Sequence, residues 1–257
     1  MRHGFVKVAA ATPDIRVADV AYNTQKICGL IDETVKEGAK VVAFPELCVT
    51  GYTCGDLFTQ EVLLKEARAA LHKIARHTKG KDALIFVGVP VAVEGKLYNV
   101  AAALNQGKIL GLTTKSFLPN YGEFYEMRQF TEGPSAAREI LFDGEKMPFG
   151  PQLLFVADSM ESLVVSAEIC EDAWSSVPPS IEAAREGAVI IANCSASDET
   201  VGKSTYRRNL IEGQSARLIC GYLYANAGEG ESTTDLVFGG HNLIAENGSV
   251  LKEGRRF

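Results

Sequence analysis

Three residues of this sequence could together perform nucleophilic chemistry: Glu46, Lys115 and Cys170. Each follows a run of small or branched apolar residues that predicts a buried strand, and they lie 69 and 55 residues apart along the chain. Strand ends at one edge of a sheet converge in space, so we expect the three side chains to meet. They would supply a general base, a cation that stabilises an oxyanion, and a thiol nucleophile.

The cysteine lies in the stretch LVVSAEICEDAW, which spans residues 163–174 and begins as an apolar strand. A thiol at the abrupt end of a buried strand is held rigidly and can face a pocket, as a nucleophile requires. Acidic residues surround it at Glu168, Glu171 and Asp172, and negative charge raises the pKa of a thiol. A positive group must therefore come from elsewhere in the chain, and Lys115 is the candidate.

The elements that position these residues alternate between strands and helices in both halves of the chain. In the first half, the apolar periodicity predicts a strand over 5–12, a helix over 17–38, a strand over 40–44 and a helix over 60–79. In the second half, it predicts strands over 161–169, 189–193 and 222–226, with helices over 178–187 and 204–219. Such units are typical of parallel strands joined by right-handed crossovers.

The middle of the chain has a different pattern. Three strands within residues 83–115 are joined by the turns Glu94-Gly95 and Gln106-Gly107, which indicate antiparallel pairing. The aromatic and acidic loop over 119–134 is expected to cover a cavity as a wall or lid. Residues 136–151 are interpreted as a surface excursion, 152–157 as a further strand, and a last hairpin is predicted at Asn247-Gly248.

The composition excludes several classes of function. The 257 residues are 46% hydrophobic and 23% charged, with a net charge of −6 and a pI near 5.4. This acidity argues against binding to nucleic acid or an anionic membrane, and no apolar run approaches the roughly 20 residues of a membrane helix. The six cysteines form no CxxC pair. We therefore expect reduced thiols, no metal site and a cytoplasmic protein whose amino terminus is a strand rather than a secretion signal.

Three segments resemble the signatures of the nitrilase, or carbon–nitrogen hydrolase, superfamily: FPELCVTGY, TKSFLPNYGEFYEMRQFTEG and EICEDAW. The triad of that superfamily is Glu, Lys and Cys in the same chain order. Within it, the segments NCSAS and YANAGEGESTTDLVFGGHN resemble the glutaminase domains of glutamine-dependent NAD synthetases. The resemblance covers essentially all of residues 1–257 and implies one α/β domain, a four-layer α-β-β-α sandwich with two sheets packed face to face between outer helices.

The resemblance also implies an activity, which is hydrolysis of the side-chain amide of glutamine through a cysteine thioester. The ammonia would supply NAD synthesis from deamido-NAD. Glu46 would be the base, Lys115 the oxyanion stabiliser and Cys170 the nucleophile, with the backbone N–H of Glu171 completing the oxyanion hole. A second carboxylate is found near many such triads, and the sequence leaves open whether Glu123 or Glu126 corresponds to it.

Glutamine selectivity needs groups that meet an α-amino group and an α-carboxylate. By the same resemblance these are Tyr121, Ser197 and Lys203, and Phe124 is expected to join them at the substrate. Lys203 can pair with the carboxylate as a point charge, whereas some relatives have Arg at this position, which would bind it with two hydrogen bonds. Tyr121 and Ser197 can hydrogen-bond the backbone atoms of the amino acid.

No phosphate-binding loop of the SGGxDS or GxxxxGK[ST] type occurs in the sequence. The glutaminase reaction is therefore expected to need no cofactor, while ATP, Mg and deamido-NAD would belong to a synthetase domain. We expect the chain to be part of a longer protein, with L-glutamine and that synthetase domain as partners, and to form a homo-oligomer. The alternatives are a free-standing aliphatic amidase or N-carbamoyl amidohydrolase, and a non-catalytic assembly module.

Overall fold

Two β-sheets form the centre of the structure, a computed structural model that describes residues 4–257. The strands of the first sheet are β1 (Val8–Ala10), β2 (Val41–Ala43), β3 (Leu84–Val93), β4 (Lys96–Asn105), β5 (Lys108–Thr114), β6 (Arg138–Phe142) and β7 (Glu145–Gly150). They lie in the order β1-β2-β3-β4-β5-β7-β6. The first three strands are parallel, whereas β3, β4 and β5 pair antiparallel, so β2, β3 and β5 all end at the same edge.

The strands of the second sheet are β8 (Phe155–Ala157), β9 (Met160–Ile169), β10 (Ile190–Ser195), β11 (Gly221–Asn226), β12 (Leu243–Glu246) and β13 (Ser249–Glu253). Their order is β13-β12-β11-β10-β9-β8. The three central strands β9, β10 and β11 are parallel, and both edges are antiparallel hairpins. The parallel strands therefore deliver their carboxyl ends to one edge of the sheet.

Within residues 4–257, four α-helices cover the outer faces of the sheets: α1 (Val20–Lys36), α2 (Glu61–His77), α3 (Pro179–Arg185) and α4 (Lys203–Leu218). Helix α1 begins where the Asp19 side chain accepts the N–H of Tyr22 at 3.0 Å, which satisfies one free donor of the first turn. Among the described residues, no helix combines the length and hydrophobicity that crossing a membrane requires.

Three apolar layers hold these elements together. Helices α1 and α2 pack on the first sheet through residues such as Ile27 and Leu71, and α4 packs on the second sheet through Ile211. Between the sheets lies a core in which alanine is the most frequent residue, with Phe86 and Leu223 among its larger members. The layers follow the order helix, sheet, sheet, helix, and the predicted α-β-β-α sandwich is confirmed.

Most of the predicted elements are confirmed within a few residues, including the hairpin turns at Glu94-Gly95, Gln106-Gly107 and Asn247-Gly248. The interpretation of residues 136–151 as a surface excursion is wrong. This segment is the hairpin of β6 and β7, and β7 pairs in parallel with β5 to extend the first sheet. Its turn, Asp143-Gly144, has both residues at positive φ and is a strong hairpin signal that could have been used.

Candidate functional site

Lys115 joins two carboxylates in the interior of the protein. Its Nζ donates to Glu46 Oε1 at 2.6 Å, and to Glu126 Oε1 and Oε2 at 2.6 and 2.9 Å. The side chains of Lys115 and Glu46 are 0% exposed, and that of Glu126 is 6% exposed. Burial alone would lower the pKa of Lys115, but the Glu126 and Glu46 carboxylates together raise it well above its usual value. The ammonium form of Lys115 is therefore the stable one.

Glu46 reaches Lys115 because its segment crosses over β3 at a glycine. A Cβ on Gly88 would lie 2.3 Å from both Pro45 O and Leu47 N, so only glycine leaves room for this crossing. Beyond it, Glu46 Oε1 accepts from Asn99 Nδ2 of β4 at 2.6 Å, and Oε2 accepts from the backbone N–H of Ala196 at 2.9 Å. The carboxylate is held from both sheets.

The second carboxylate that the sequence left open lies at Glu126. Its Oε1 also accepts from the Tyr52 hydroxyl at 2.7 Å. Burial raises the pKa of Glu126 to about 7, against the opposing effect of the Lys115 ammonium. Glu123 is less buried and lies at the neighbouring pocket, where its charge faces Tyr121. Of the two candidates, the structure therefore brings Glu126 to the Lys115 ammonium.

Cys170 follows β9 directly and begins the short 3₁₀ helix Cys170–Trp174. It is 6% exposed, and its φ of 47° lies in the left-handed region that non-glycine residues rarely adopt. Its backbone N–H donates to Asn193 Oδ1 at 3.2 Å. Burial and the Glu46 carboxylate raise the pKa of the Cys170 thiol far above its ordinary value, and the Lys115 ammonium opposes this. The resting sulfur is therefore a thiol, and it needs a base to become a nucleophile.

The acidic side chains around Cys170 each accept hydrogen bonds from other residues. Glu168 accepts from the Tyr222 hydroxyl and from the N–H of Ser180, and both contacts lie on the α3 side of the second sheet. Asp172 accepts only from backbone N–H groups. Glu171, half-buried, accepts from the Tyr121 hydroxyl at 2.9 and 3.0 Å. Glu171 is the second residue of its 3₁₀ helix, so its own N–H has no acceptor within that helix.

The residues expected to bind glutamine form a chain of contacts beside Cys170. Tyr121 is 59% exposed, and its ring packs edge to face on Phe124 at 6.1 Å. Lys203 Nζ lies 5.4 Å from the Phe124 ring and 5.7 Å from the Trp174 ring. Lys203 is also ion-paired with Asp198, a partner that sequence reasoning missed.

Ser197 is buried, and its position depends on a second residue that sequence reasoning missed. Arg207 is fully buried, and its Nη2 donates to Ser197 Oγ at 3.2 Å and to Asp198 O at 2.7 Å. Asn99 and Tyr52, which bond the two carboxylates of the Lys115 cluster, were missed as well. Asn99 gave a usable signal, since it is a polar residue within the otherwise apolar run LYNVAAAL.

A pocket of about 240 Å³ adjoins this cluster. Glu126 and Tyr52 form part of its wall, together with Glu123, Phe124 and Tyr125 of the predicted lid loop. Cys170 and Lys115 do not line it, so the pocket meets the cluster at the second carboxylate. Within residues 4–257, no group of three or more His, Cys, Asp and Glu side chains is arranged to hold a metal ion.

Comparison with known proteins identifies the family of the chain. The profile of the family described as Carbon-nitrogen hydrolase matches residues 7–257. The chain is 40% identical over 256 residues to the glutamine-dependent NAD(+) synthetase of Mycobacterium tuberculosis strain H37Rv, an alignment that covers 100% of this chain and 38% of that relative. It therefore spans less than half the length of this curated relative.

Two solved structures show the same fold. The crystal structure of a glutamine-dependent NAD(+) synthetase from Cytophaga hutchinsonii superposes with a TM-score of 0.87 at 30% identity, covering 98% of this chain and 40% of that one. An amidase from Nesterenkonia, of the nitrilase superfamily, superposes with a TM-score of 0.77 at 20% identity, covering 100% and 89% of the two chains. With the match over residues 7–257, these findings confirm the resemblance read from the three motifs, and the chain belongs to the carbon–nitrogen hydrolase family.

Proposed function

We propose that this chain hydrolyses the side-chain amide of L-glutamine and that Cys170, Glu46 and Lys115 perform the reaction. The observation that carries the proposal is the buried Lys115 ammonium, which is held by two carboxylates and whose charge acts on Cys170, the residue that follows β9. Because the thiol pKa is raised, attack requires a base in contact with the site, and Glu46 is the carboxylate whose charge acts on Cys170 most strongly.

The reaction proceeds in two halves. Glu46 takes the thiol proton as the sulfur attacks the amide carbon, and Lys115 with the N–H of Glu171 stabilises the oxyanion. Glu46 then gives the proton to the amide nitrogen, the C–N bond breaks, and ammonia leaves a glutamyl thioester on Cys170. In the second half, Glu46 removes a proton from water, which attacks the thioester. The C–S bond breaks, Glu46 returns that proton to the departing sulfur, and glutamate leaves the regenerated Cys170 thiol and Glu46 carboxylate. No cofactor enters either half.

Glutamine would be recognised by its α-amino and α-carboxylate groups. Phe124 contacts both Tyr121 and Lys203, and Ser197 directly precedes Asp198, the ion-pair partner of Lys203, which supports a common binding surface. The family relatives are named glutamine-dependent NAD(+) synthetases. We therefore assign the ammonia to NAD synthesis from deamido-NAD by a synthetase domain that uses ATP and Mg, with a cytoplasmic homo-oligomer as the assembly.

One observation favours a second candidate, a free-standing amidase that acts on small aliphatic amides. Lys203 is already neutralised by Asp198, so its charge is less available to an α-carboxylate. Asp198→Asn distinguishes the two functions. For a glutaminase this variant lowers the KM for glutamine because it frees Lys203, whereas for an aliphatic amidase it leaves the KM for propionamide unchanged and creates no glutamine activity.

The central test measures ammonia release from L-glutamine by the wild type and by Cys170→Ala. We expect activity in the wild type and none in the variant, with circular dichroism showing that both are folded. Cys220→Ala is the matched control, since Cys220 is buried at the start of β11 and plays no part in the mechanism. An electrophilic glutamine analogue should modify Cys170, as mapped by peptide mass spectrometry. A fully active Cys170→Ala would refute the proposal.

A further inference from the structure

Asp172 is a fully buried carboxylate whose hydrogen-bond donors, among the residues that the structure describes, are all backbone N–H groups. Its Oδ1 accepts from the N–H of Ser116 at 3.0 Å and of Phe117 at 2.9 Å, and its Oδ2 accepts from the N–H of Ile169 at 2.9 Å. The first two residues lie in the first sheet's half of the molecule, and the third ends β9 of the second sheet. One side chain therefore joins two distant segments.

These segments are the backbone next to two of the reacting groups. Ser116 and Phe117 directly follow Lys115, and Ile169 directly precedes Cys170. Strand β5 ends at Thr114, so the N–H groups of Ser116 and Phe117 lie beyond its ladder and need another acceptor. Asp172 supplies that acceptor with one oxygen and holds the start of the cysteine turn with the other.

We propose that Asp172 is a positioning residue that fixes Lys115 relative to Cys170, an inference that rests on the proposed hydrolase function. The two oxygens of one carboxylate set the separation of the two segments, as a rigid two-sided clamp does. An oxyanion donor must be placed to within a fraction of an ångström, and a displacement of about 1 Å can cost 10²-fold in rate.

The chemistry of the residue supports this assignment. Burial, reinforced by Glu168, raises the pKa of Asp172 to about 8, while its backbone N–H donors and the Lys115 ammonium favour the carboxylate form, in which both oxygens accept. Asparagine has one acceptor oxygen and can serve only one of the two segments, because its NH₂ group would face a second donor. Cys170 itself has a left-handed φ of 47°, so the turn needs external support to keep this conformation.

The test follows both turnover and the chemistry of the sulfur in Asp172→Asn. We expect kcat for glutamine to fall by about 10²-fold while KM changes less than about threefold, because the substrate-binding side chains are untouched. The second readout is the rate at which iodoacetamide alkylates Cys170 as a function of pH. That rate should fall at every pH between about 6 and 9, since the Lys115 ammonium, which lowers the pKa of the thiol, is no longer held in place.

A double-mutant cycle with Lys115→Met separates positioning from general stability. If Asp172 acts through Lys115, adding Asp172→Asn to Lys115→Met should change the alkylation rate less than about twofold. Thr78→Val is the matched control. It removes a buried hydroxyl that accepts from the N–H of Gly107 at 2.9 Å, at the opposite end of β5 from Lys115. This control should leave the alkylation profile unchanged.

Two results would overturn the proposal. One is an Asp172→Asn protein that is destabilised like Thr78→Val but keeps the wild-type kcat and alkylation profile. The other is an Asp172→Asn effect on the alkylation rate that is as large in the Lys115→Met background as in the wild type. If Asp172→Asn does not fold, Phe117→Pro removes one of the three donors, leaves Asp172 in place and is judged on the same criteria. If Asp172→Asn lowers the alkylation rate but the wild type does not turn over glutamine, the positioning role of Asp172 is supported and the glutaminase function is refuted instead.

Discussion

Replacing Lys115 by methionine tests the electrostatics of the site through the stability of the protein. The substitution keeps most of the side-chain volume but removes the ammonium that pairs with both Glu46 and Glu126, which are almost fully buried. Removing one partner of a buried ion pair typically costs about 3–5 kcal/mol, because the remaining charge is left unpaired. We expect Lys115→Met to lower the free energy of unfolding by this amount at pH 8 and by less at pH 6.

The pH dependence follows from the raised pKa of Glu126. Burial raises it to about 7 in the wild type, above the value of an unfolded glutamate, so the folded state holds a proton that the unfolded state loses. The contribution of Glu126 to the free energy of unfolding is therefore present at low pH. It is lost as the pH rises from the pKa of an unfolded glutamate to about 7. Lys115 lowers the Glu126 pKa, so in Lys115→Met that pKa is higher and the loss continues above pH 7.

The gap in unfolding free energy between wild type and Lys115→Met should therefore widen above pH 7, by up to about 1.4 kcal/mol per pH unit for one proton. Urea denaturation between pH 6 and 9, followed by the fluorescence of the single tryptophan, Trp174, measures this gap. Lys40→Met is the control, because the exposed Lys40–Asp82 pair is worth at most about 1 kcal/mol. A gap that is constant or narrows with pH would refute the reasoning.

Two further predictions concern the base and its neighbour. For Glu126→Gln, the midpoint of the ascending limb of kcat/KM for glutamine should move from near pH 7 to lower pH. The reason is that one of the two carboxylates that compete for the Lys115 ammonium is removed. A pH–rate profile with an unchanged midpoint would contradict this. Gly88→Ala should lower kcat at least about 10²-fold, because the new Cβ would displace the Glu46 backbone. The control is Gly29→Ala, at an exposed position of α1 with open space around it. It should retain full activity, and its free energy of unfolding, measured by urea denaturation, should rise by up to about 1 kcal/mol. Equal kinetics for the two alanine variants would count against the close approach at Gly88.

The strands and turns could be predicted because their signals are local. Runs such as KVVAF and the turns at Glu94-Gly95 and Gln106-Gly107 depend on neighbouring residues alone, and each predicted the element that the structure contains. The positions of Glu46, Lys115 and Cys170 after strands could be predicted as well: Lys115 and Cys170 directly follow β5 and β9, and Glu46 follows β2 after two further residues. What those residues do in catalysis stays a prediction that the experiments above test.

The contacts that complete the site depend on long-range geometry and could not be read from the chain. Glu123 and Glu126 differ by three positions in an irregular loop with no periodicity, so nothing in the sequence selected the one that reaches Lys115. The pairing of Lys203 with Asp198 depends on how α4 begins after β10, and it changes the charge that a substrate would meet. These choices are made by packing between segments far apart in sequence.

The two-sheet architecture explains why this site requires so many long-range contacts. Strand β2 is separated from β5 by β3 and β4, roughly 14 Å at the usual spacing of neighbouring strands, too far for two side chains to meet directly. The crossing at Gly88 brings Glu46 over β3 to Asn99, and the alanine-rich core lets the second sheet present Cys170 to the same point. The positions of Glu46, Lys115 and Cys170 therefore depend on how the two sheets are placed relative to each other. Asp172 bonds to segments of both halves, and by our proposal it fixes the placement that catalysis requires.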